Sequence, residues 1–304
     1  MPFKRRQFIA LSSFSALCLA FLTSKLNKQS NSSSVNVEEA KPVKYASTSE
    51  IPLRFVSVAD TGTGDKGQYA VAQAMTRYYK RKPYKLVVLA GDNIYNNGEI
   101  EKINAVFERP YQELLSQGVK FQACLGNHDI RTNNGEPQVR YPGFNMQGRY
   151  YTFGQNLVQF FALDTNHNAD WKAQLTWLDK ELSRSKAPWK IVFGHHQIYS
   201  SGHYGLNQPF IKTLSPIFQK HGVQLYINGH DHDYERTRSI NGTTYLTCGA
   251  GAGTRPVGAS QWTARAASKL SFAAFELYSD RLEISGIDAK SVIFDKGIIP
   301  VKSI

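Results

Sequence analysis

Five short segments of this chain end an apolar run in residues able to hold a metal ion: Asp60-Thr61-Gly62, Gly91-Asp92-Asn93-Ile94-Tyr95, Gly126-Asn127-His128-Asp129, Val192-Phe193-Gly194-His195 and Gly229-His230-Asp231-His232. Carboxylate, amide and imidazole are donors that hard and borderline metals take. Taken singly, each segment has an ordinary use: Asp60 caps a helix, Gly91-Asp92-Asn93 makes a turn, Asn127 holds another, and His195 is a satisfied buried histidine. Five such endings in one chain point instead to a single metal centre.

A centre of that kind needs the five segments at one edge of a sheet, and the pattern between them provides it. Leu53 to Ala59, Leu86 to Ala90, Phe121 to Leu125, Lys190 to Phe193 and Val223 to Ile227 read as buried strands. Helical spacing runs through Gly67 to Arg81, Ile100 to Leu115, Trp171 to Leu182 and Pro209 to His221. Ligands in open α/β sheets gather at the carboxyl ends of the strands, where all five segments lie. Tyr150 to Phe153 and Leu157 to Leu163 form a hairpin through Gly154, Gln155 and Asn156. Three closing strands, Thr243 to Thr247, Phe272 to Leu277 and Arg281 to Ile287, have no helices between them. The expected fold is α/β: a four-layer α/β/β/α sandwich of two mixed β-sheets flanked by helices.

Composition places the 304 residues, 41% hydrophobic and 20% charged, among ordinary globular chains with a sizeable core. The net charge of +12 suggests nucleic acid until it is located. Lys4, Arg5, Arg6, Lys25 and Lys28 all precede the first acidic residue, Glu38, and leave about +7 spread over the remainder. No alternation of basic and aromatic residues accompanies that charge, so no nucleic-acid partner is expected. Arg5-Arg6-Gln7-Phe8-Ile9 and the apolar run to Leu22 resemble a twin-arginine export signal, short of the length needed to span a bilayer comfortably. Residues 1–26 are accordingly an export signal or anchor, 27–50 a flexible polar linker, and 51–304 a single catalytic domain, exported and monomeric. Cys124 and Cys248 each stand in an apolar run and are expected as buried free thiols.

In order and separation the five segments resemble the calcineurin-like metallophosphoesterases, and within them the purple acid phosphatases of the small tartrate-resistant type, over roughly Ile51 to the end. The general pattern places a histidine ligand two residues after the first aspartate; here that residue is Gly62. Tyr95, which the general pattern lacks and the purple acid phosphatases have, stands in the second segment. Loss and gain agree.

The resemblance implies an Fe(III) ion held by Asp60, Asp92, Tyr95 and His232, the hard phenolate favouring the ferric state. It implies a second divalent ion, iron, zinc or manganese, held by Asp92, Asn127, His195 and His230, with Asp92 serving both. The reaction implied is hydrolysis of phosphate monoesters by a metal-activated hydroxide, with His128 and His203 as candidates to protonate the leaving group. His203 lies one residue off the family's spacing from His195. His196 is expected to turn away from the centre, and Asp129 and Asp231 to orient its ligands. Small phosphorylated substrates are the expected partners, with a membrane tether if the leader is retained. A phosphodiesterase or nucleotidase on the same site is the nearest alternative, because the segments hold phosphate and say little about its substituents. A phosphate receptor and a peroxidase-like iron protein are the alternatives of another class; full retention of the ligands and of His128 argues against the receptor.

Overall fold

A computed structural model describes residues 37–38, 53–155 and 157–301. The leader expected over residues 1–26 lies outside them, as does all of the expected linker except Val37–Glu38, which pairs antiparallel with Ser239–Ile240. The rest of the described chain builds two main sheets.

The six-stranded sheet runs, in spatial order, Ile293–Pro300, Arg281–Asp288, Ser271–Leu277, Leu53–Val58, Leu86–Leu89 and Lys120–Ala123. Its first three strands are antiparallel neighbours and its last three are parallel. The seven-stranded sheet runs Thr263–Ala267, Tyr234–Thr237, Thr244–Cys248, Leu225–Asn228, Trp189–Phe193, Val158–Ala162 and Tyr151–Gln155, again mixed, with parallel pairing from Thr244–Cys248 to Val158–Ala162. The expected hairpin is present as Tyr151–Gln155 against Val158–Ala162.

Period-two side-chain alternation on these strands builds the layers. Phe55, Leu86, Val88, Phe160, Ile191, Phe193, Leu225 and Ile227 point into one core between the sheets. Phe55 stacks on Phe275 at 4.3 Å within its own sheet and meets Phe160 of the other edge-on at 5.3 Å. The alternate residues Val56, Val58, Val87 and Leu89 face outward, beneath the helix Lys66–Arg81. Phe161, Val192 and Tyr226 do the same beneath Trp171–Arg184 and Gln208–His221. Both faces of each central strand are therefore buried, as continuous apolar runs require. The four-layer α/β/β/α expectation holds.

The one long helix expected over Ile100 to Leu115 is instead three short pieces, Ile100–Lys102, Asn104–Glu108 and Gln112–Ser116. Pro110 falls at the last break, where it supplies no amide hydrogen to the preceding turn. Cys124 and Cys248 are buried and free, and Cys248 Sγ lies 3.4 Å from Ser57 Oγ. No helix among the described residues is long and apolar enough to cross a membrane.

Candidate metal centre

Parallel pairing brings the carboxyl ends of five strands to one edge of the sandwich, three from one sheet and two from the other. The chain leaves three of those strands through backbone that side chains rarely adopt: Asp60 at φ 57°, Asp92 at φ 53° and His230 at φ 70°. Left-handed conformations at non-glycine residues cost roughly 1–3 kcal/mol each and collect where a site needs them.

Around Asp60, the Tyr95 hydroxyl donates to Asp60 Oδ1 and Asp92 Oδ2, each at 2.9 Å, and lies 3.3 Å from His232 Nε2. His232 Nε2 is itself 3.3 Å from Asp60 Oδ1. These four donors are the set expected for the first ion. Beside them, His195 Nε2 is 3.4 Å from Asp92 Oδ2, 3.1 Å from the Asn127 side-chain oxygen and 3.2 Å from His230 Nδ1. That is the set expected for the second, and Asp92 Oδ2 stands between the two. Asp60, Asp92 and His195 offer ligand atoms within 4.8 Å of one another, all from buried residues. Two carboxylates, three imidazoles, an amide and a phenol converging at one edge fit a pair of cations.

The supporting contacts fix each donor's direction. His195 Nδ1 lies 3.0 Å from the Ala90 carbonyl, which turns Nε2 inward, and the Thr165 hydroxyl accepts the His195 amide at 3.0 Å. Asp92 Oδ1 accepts the His128 amide at 2.9 Å, leaving Oδ2 for the centre. Asp129, fully buried, accepts the amides of Gly126, Asn93 and Ile94 and so locks the second and third loops together. Burial, then Asp92, pushes the Asp129 carboxyl up to about 7, with the Gly126 and Asn93 amides pulling the other way.

Gly62 explains the exchange at the first segment. It accepts the Tyr95 amide at 2.7 Å and donates to the Asp92 carbonyl at 3.3 Å, and a Cβ there would drive into the Asn93 carbonyl. The backbone contact that seats Tyr95 thus excludes any side chain at position 62. Gly126 is held as tightly, since its Cβ would collide with the Asp92 carboxylate and amide.

Electrostatics show what the metal-free donors carry. Burial, then Asp60 and Asp92, hold the Tyr95 phenol far above its ordinary pKa, so that a phenolate requires a cation in the site. Burial opposes a charge on His195, but Asp92 and Asp60 outweigh it and lift its pKa to about 10. Burial and His195 push His196 down to about 3, and burial and the same neighbour depress His230 as well. Ions entering at neutral pH must therefore displace a proton from His195, and apparent affinity rises with pH below about 10, roughly tenfold per unit for each proton released. A chelator competition at about pH 6 and about pH 8 should show the metals bound on the order of a hundredfold more tightly at the higher value; equal affinities would mean that binding displaces no proton from the site.

His128 sits beside the centre with its ring 4.5 Å from that of Tyr95 and its Nε2 3.9 Å from Asp92 Oδ2. His203 touches none of these donors directly among the described residues. It is exposed, and its ring meets that of Tyr204 at 4.8 Å. Tyr204 is the residue that faces the centre, stacked on His230 at 3.9 Å and 16° with its amide directed at the Asp231 carboxylate. His196 also departs from the expected direction: the strand has ended at Phe193, alternation no longer governs, and the ring lies 4.5 Å from that of His230. Asp231 holds the Ser200–Tyr204 turn rather than a ligand ring. Tyr204, Arg255 and Thr165 were not legible as site residues, since each lies on a loop with no donor pattern of its own.

Residues 53–234 match the calcineurin-like phosphoesterase family. The chain is 31% identical over 242 residues to purple acid phosphatase 7 of Arabidopsis thaliana, covering 69% of this chain and 73% of that one. It is 26% identical over 237 residues to the type 5 tartrate-resistant acid phosphatase of Mus musculus, with 66% and 72% covered. Among solved structures, the GAP50 anchor of the Plasmodium inner membrane complex shares the fold at a TM-score of 0.72 and 23% identity, covering 83% of this chain and 89% of that one.

Proposed function

Because this chain belongs to the purple acid phosphatases, within the calcineurin-like phosphoesterases, we propose that it is an exported enzyme hydrolysing small phosphate monoesters at an Fe(III) paired with divalent iron, zinc or manganese. The observation that carries this reading is the Tyr95 hydroxyl at 2.9 Å from both Asp60 and Asp92 and 3.3 Å from His232, a hard anionic donor set suited to a trivalent ion. Asp60, Asp92, Tyr95 and His232 would hold that ion, and Asp92, Asn127, His195 and His230 the other. When bound, such a pair supplies water activation and charge neutralisation for in-line displacement at phosphorus.

The chain's own residues do the rest. Asp92 positions both halves of the centre through a single oxygen, while its other oxygen fixes the loop that carries His128. His128 Nδ1 lies 2.7 Å from the Asn96 carbonyl, which orients its Nε2 toward the centre. A proton on that Nε2 is placed to go to the departing alkoxide. Arg131 donates to the same carbonyl at 3.1 Å, and its Nη2 lies 3.5 Å from His128 Nε2. Outside the centre, the Arg5-Arg6 leader is the support for export, and with the leader retained the enzyme would be tethered facing outward.

Purified protein should contain iron, show a broad visible band, and hydrolyse a simple monoester faster than the matching diester. Tyr95→Phe should bleach that band while measurable hydrolysis remains. Two zinc or manganese ions without colour would overturn the ferric assignment and leave the hydrolase standing; diester preference would favour the phosphodiesterase instead.

A further inference from the structure

Against His230 lies an open cleft of about 360 Å³ whose lining mixes Tyr204, Leu206 and Pro209 with the polar His196, Gln197, Asn207 and Gln208. That volume falls at the lower end of the roughly 300–1,000 Å³ typical of small-molecule sites. Among the described residues, five large hydrophobics stand exposed; Tyr204 and Leu206, at 43% and 40%, are two of them, and the other three belong to the far end of the chain, Val292, Ile293 and Ile298. Tyr204 and Leu206 stand together beside the donor centre, at the place where a substrate's organic part would lie.

The lip is held in place. Tyr204 is stacked on His230, its amide points at Asp231, and the Arg255 guanidinium lies 5.3 Å from its ring centroid. The loop turns at Gly205, φ 64°, and is closed by the Asn207 amide on the Ile198 carbonyl at 3.0 Å. No carboxylate lines the cleft, and His196 on its wall bonds to the Thr165 hydroxyl at 2.9 Å. A cleft without a carboxylate, opening beside His230 and carrying the exposed Tyr204 and Leu206 among neutral polar side chains, suits the organic part of a phosphoester better than the phosphate.

Resting on the monoesterase reading above, we propose that this cleft is the leaving-group subsite and that Tyr204 and Leu206 select a planar aromatic leaving group. A nucleobase and an aryl ring share that chemistry. Aromatic side chains hold flat rings at low entropic cost, and a base on an aromatic platform gains on the order of tenfold in binding.

Two substrate pairs matched in the chemistry of the ester bond isolate the effect: adenosine 5′-monophosphate against ribose 5-phosphate, and benzyl phosphate against ethyl phosphate. For the metal-loaded full chain, kcat/KM should favour the ring-bearing member of at least one pair by about tenfold, and that pair identifies the source of the ring. The ratio should fall to about one in Tyr204→Ala and decline in Leu206→Ala, and persist in Tyr204→Phe. Ratios near one in the parent, or ratios unmoved in Tyr204→Ala, overturn the proposal. Because each ratio is internal to one protein, a general loss of rate does not disturb it. Should no monoester be hydrolysed, the monoesterase reading fails, and saturation-transfer NMR with adenosine and benzyl alcohol still reads the cleft: binding lost in Tyr204→Ala sustains an aromatic subsite, and no binding in the parent refutes it.

Discussion

Replacing Asp92 by alanine is expected to strip the protein of both ions and to lower kcat/KM by at least about a thousandfold, a loss of roughly 4 kcal/mol of transition-state stabilisation. The size follows from two roles in one side chain. Oδ2 lies within 2.9 Å of the Tyr95 hydroxyl and 3.4 Å of His195 Nε2, so both donor sets lose their common member. Oδ1 accepts the His128 amide, so the loop bearing His128 loses its tie as well. Asp92→Asn separates the two, since an amide oxygen can still accept from His128 but carries no charge to bridge cations. Metal content by emission spectroscopy, read beside kcat/KM and the thermal midpoint, tests the account. Full metal content in Asp92→Ala would defeat the bridging role, and an Asn variant as active as the parent would show that charge is dispensable there.

The second large effect is expected at Gly62, where histidine would restore the general metallophosphoesterase pattern. Adding a ligand should make the site worse. Any Cβ at position 62 meets the Asn93 carbonyl, and the Gly62 carbonyl is the acceptor for the Tyr95 amide. Forcing the two loops apart should cost about 1–3 kcal/mol, a drop of several degrees in thermal midpoint for a domain of this size at about 2–4 °C per kcal/mol. It should also dislodge Tyr95 and with it most of the visible absorption of the metal-loaded protein. A Gly62→His variant as stable and as coloured as the parent would show that histidine and tyrosine are compatible here.

How far the sequence revealed this depends on whether a residue's placement was set by a strand or by a loop. Asp60, Asp92, His195 and His230 follow apolar runs that could bury themselves only as central strands, and the parallel pairing then carries their ends to one edge. Edge strands are another matter. Thr263–Ala267 and Ile293–Pro300 are half-exposed and interrupted by arginine, lysine or glycine, so they lack the pattern that betrays the centre of a sheet. His203 and Tyr204 are adjacent in the chain, and spacing alone could not say which of them turns inward. The choice is made by the Asp231 carboxylate, which the Tyr204 amide faces, and by the left-handed turn at Gly205. Hydrogen bonds between distant segments of that kind leave no periodic trace.

Each of the two donor sets draws on both sheets: Asp60, Asp92 and Tyr95 with His232 for one, Asp92 and Asn127 with His195 and His230 for the other. A bound ion would therefore act as a clasp across the seam of the sandwich, resisting the separation of its halves as a cross-link does. Because the donors converge only in the folded chain, the ion's preference for that state would add to stability by mass action, and any excursion that parts the sheets would first have to break coordination bonds. Loss of metal would then be felt as a shorter lifetime of the folded state as well as a loss of rate.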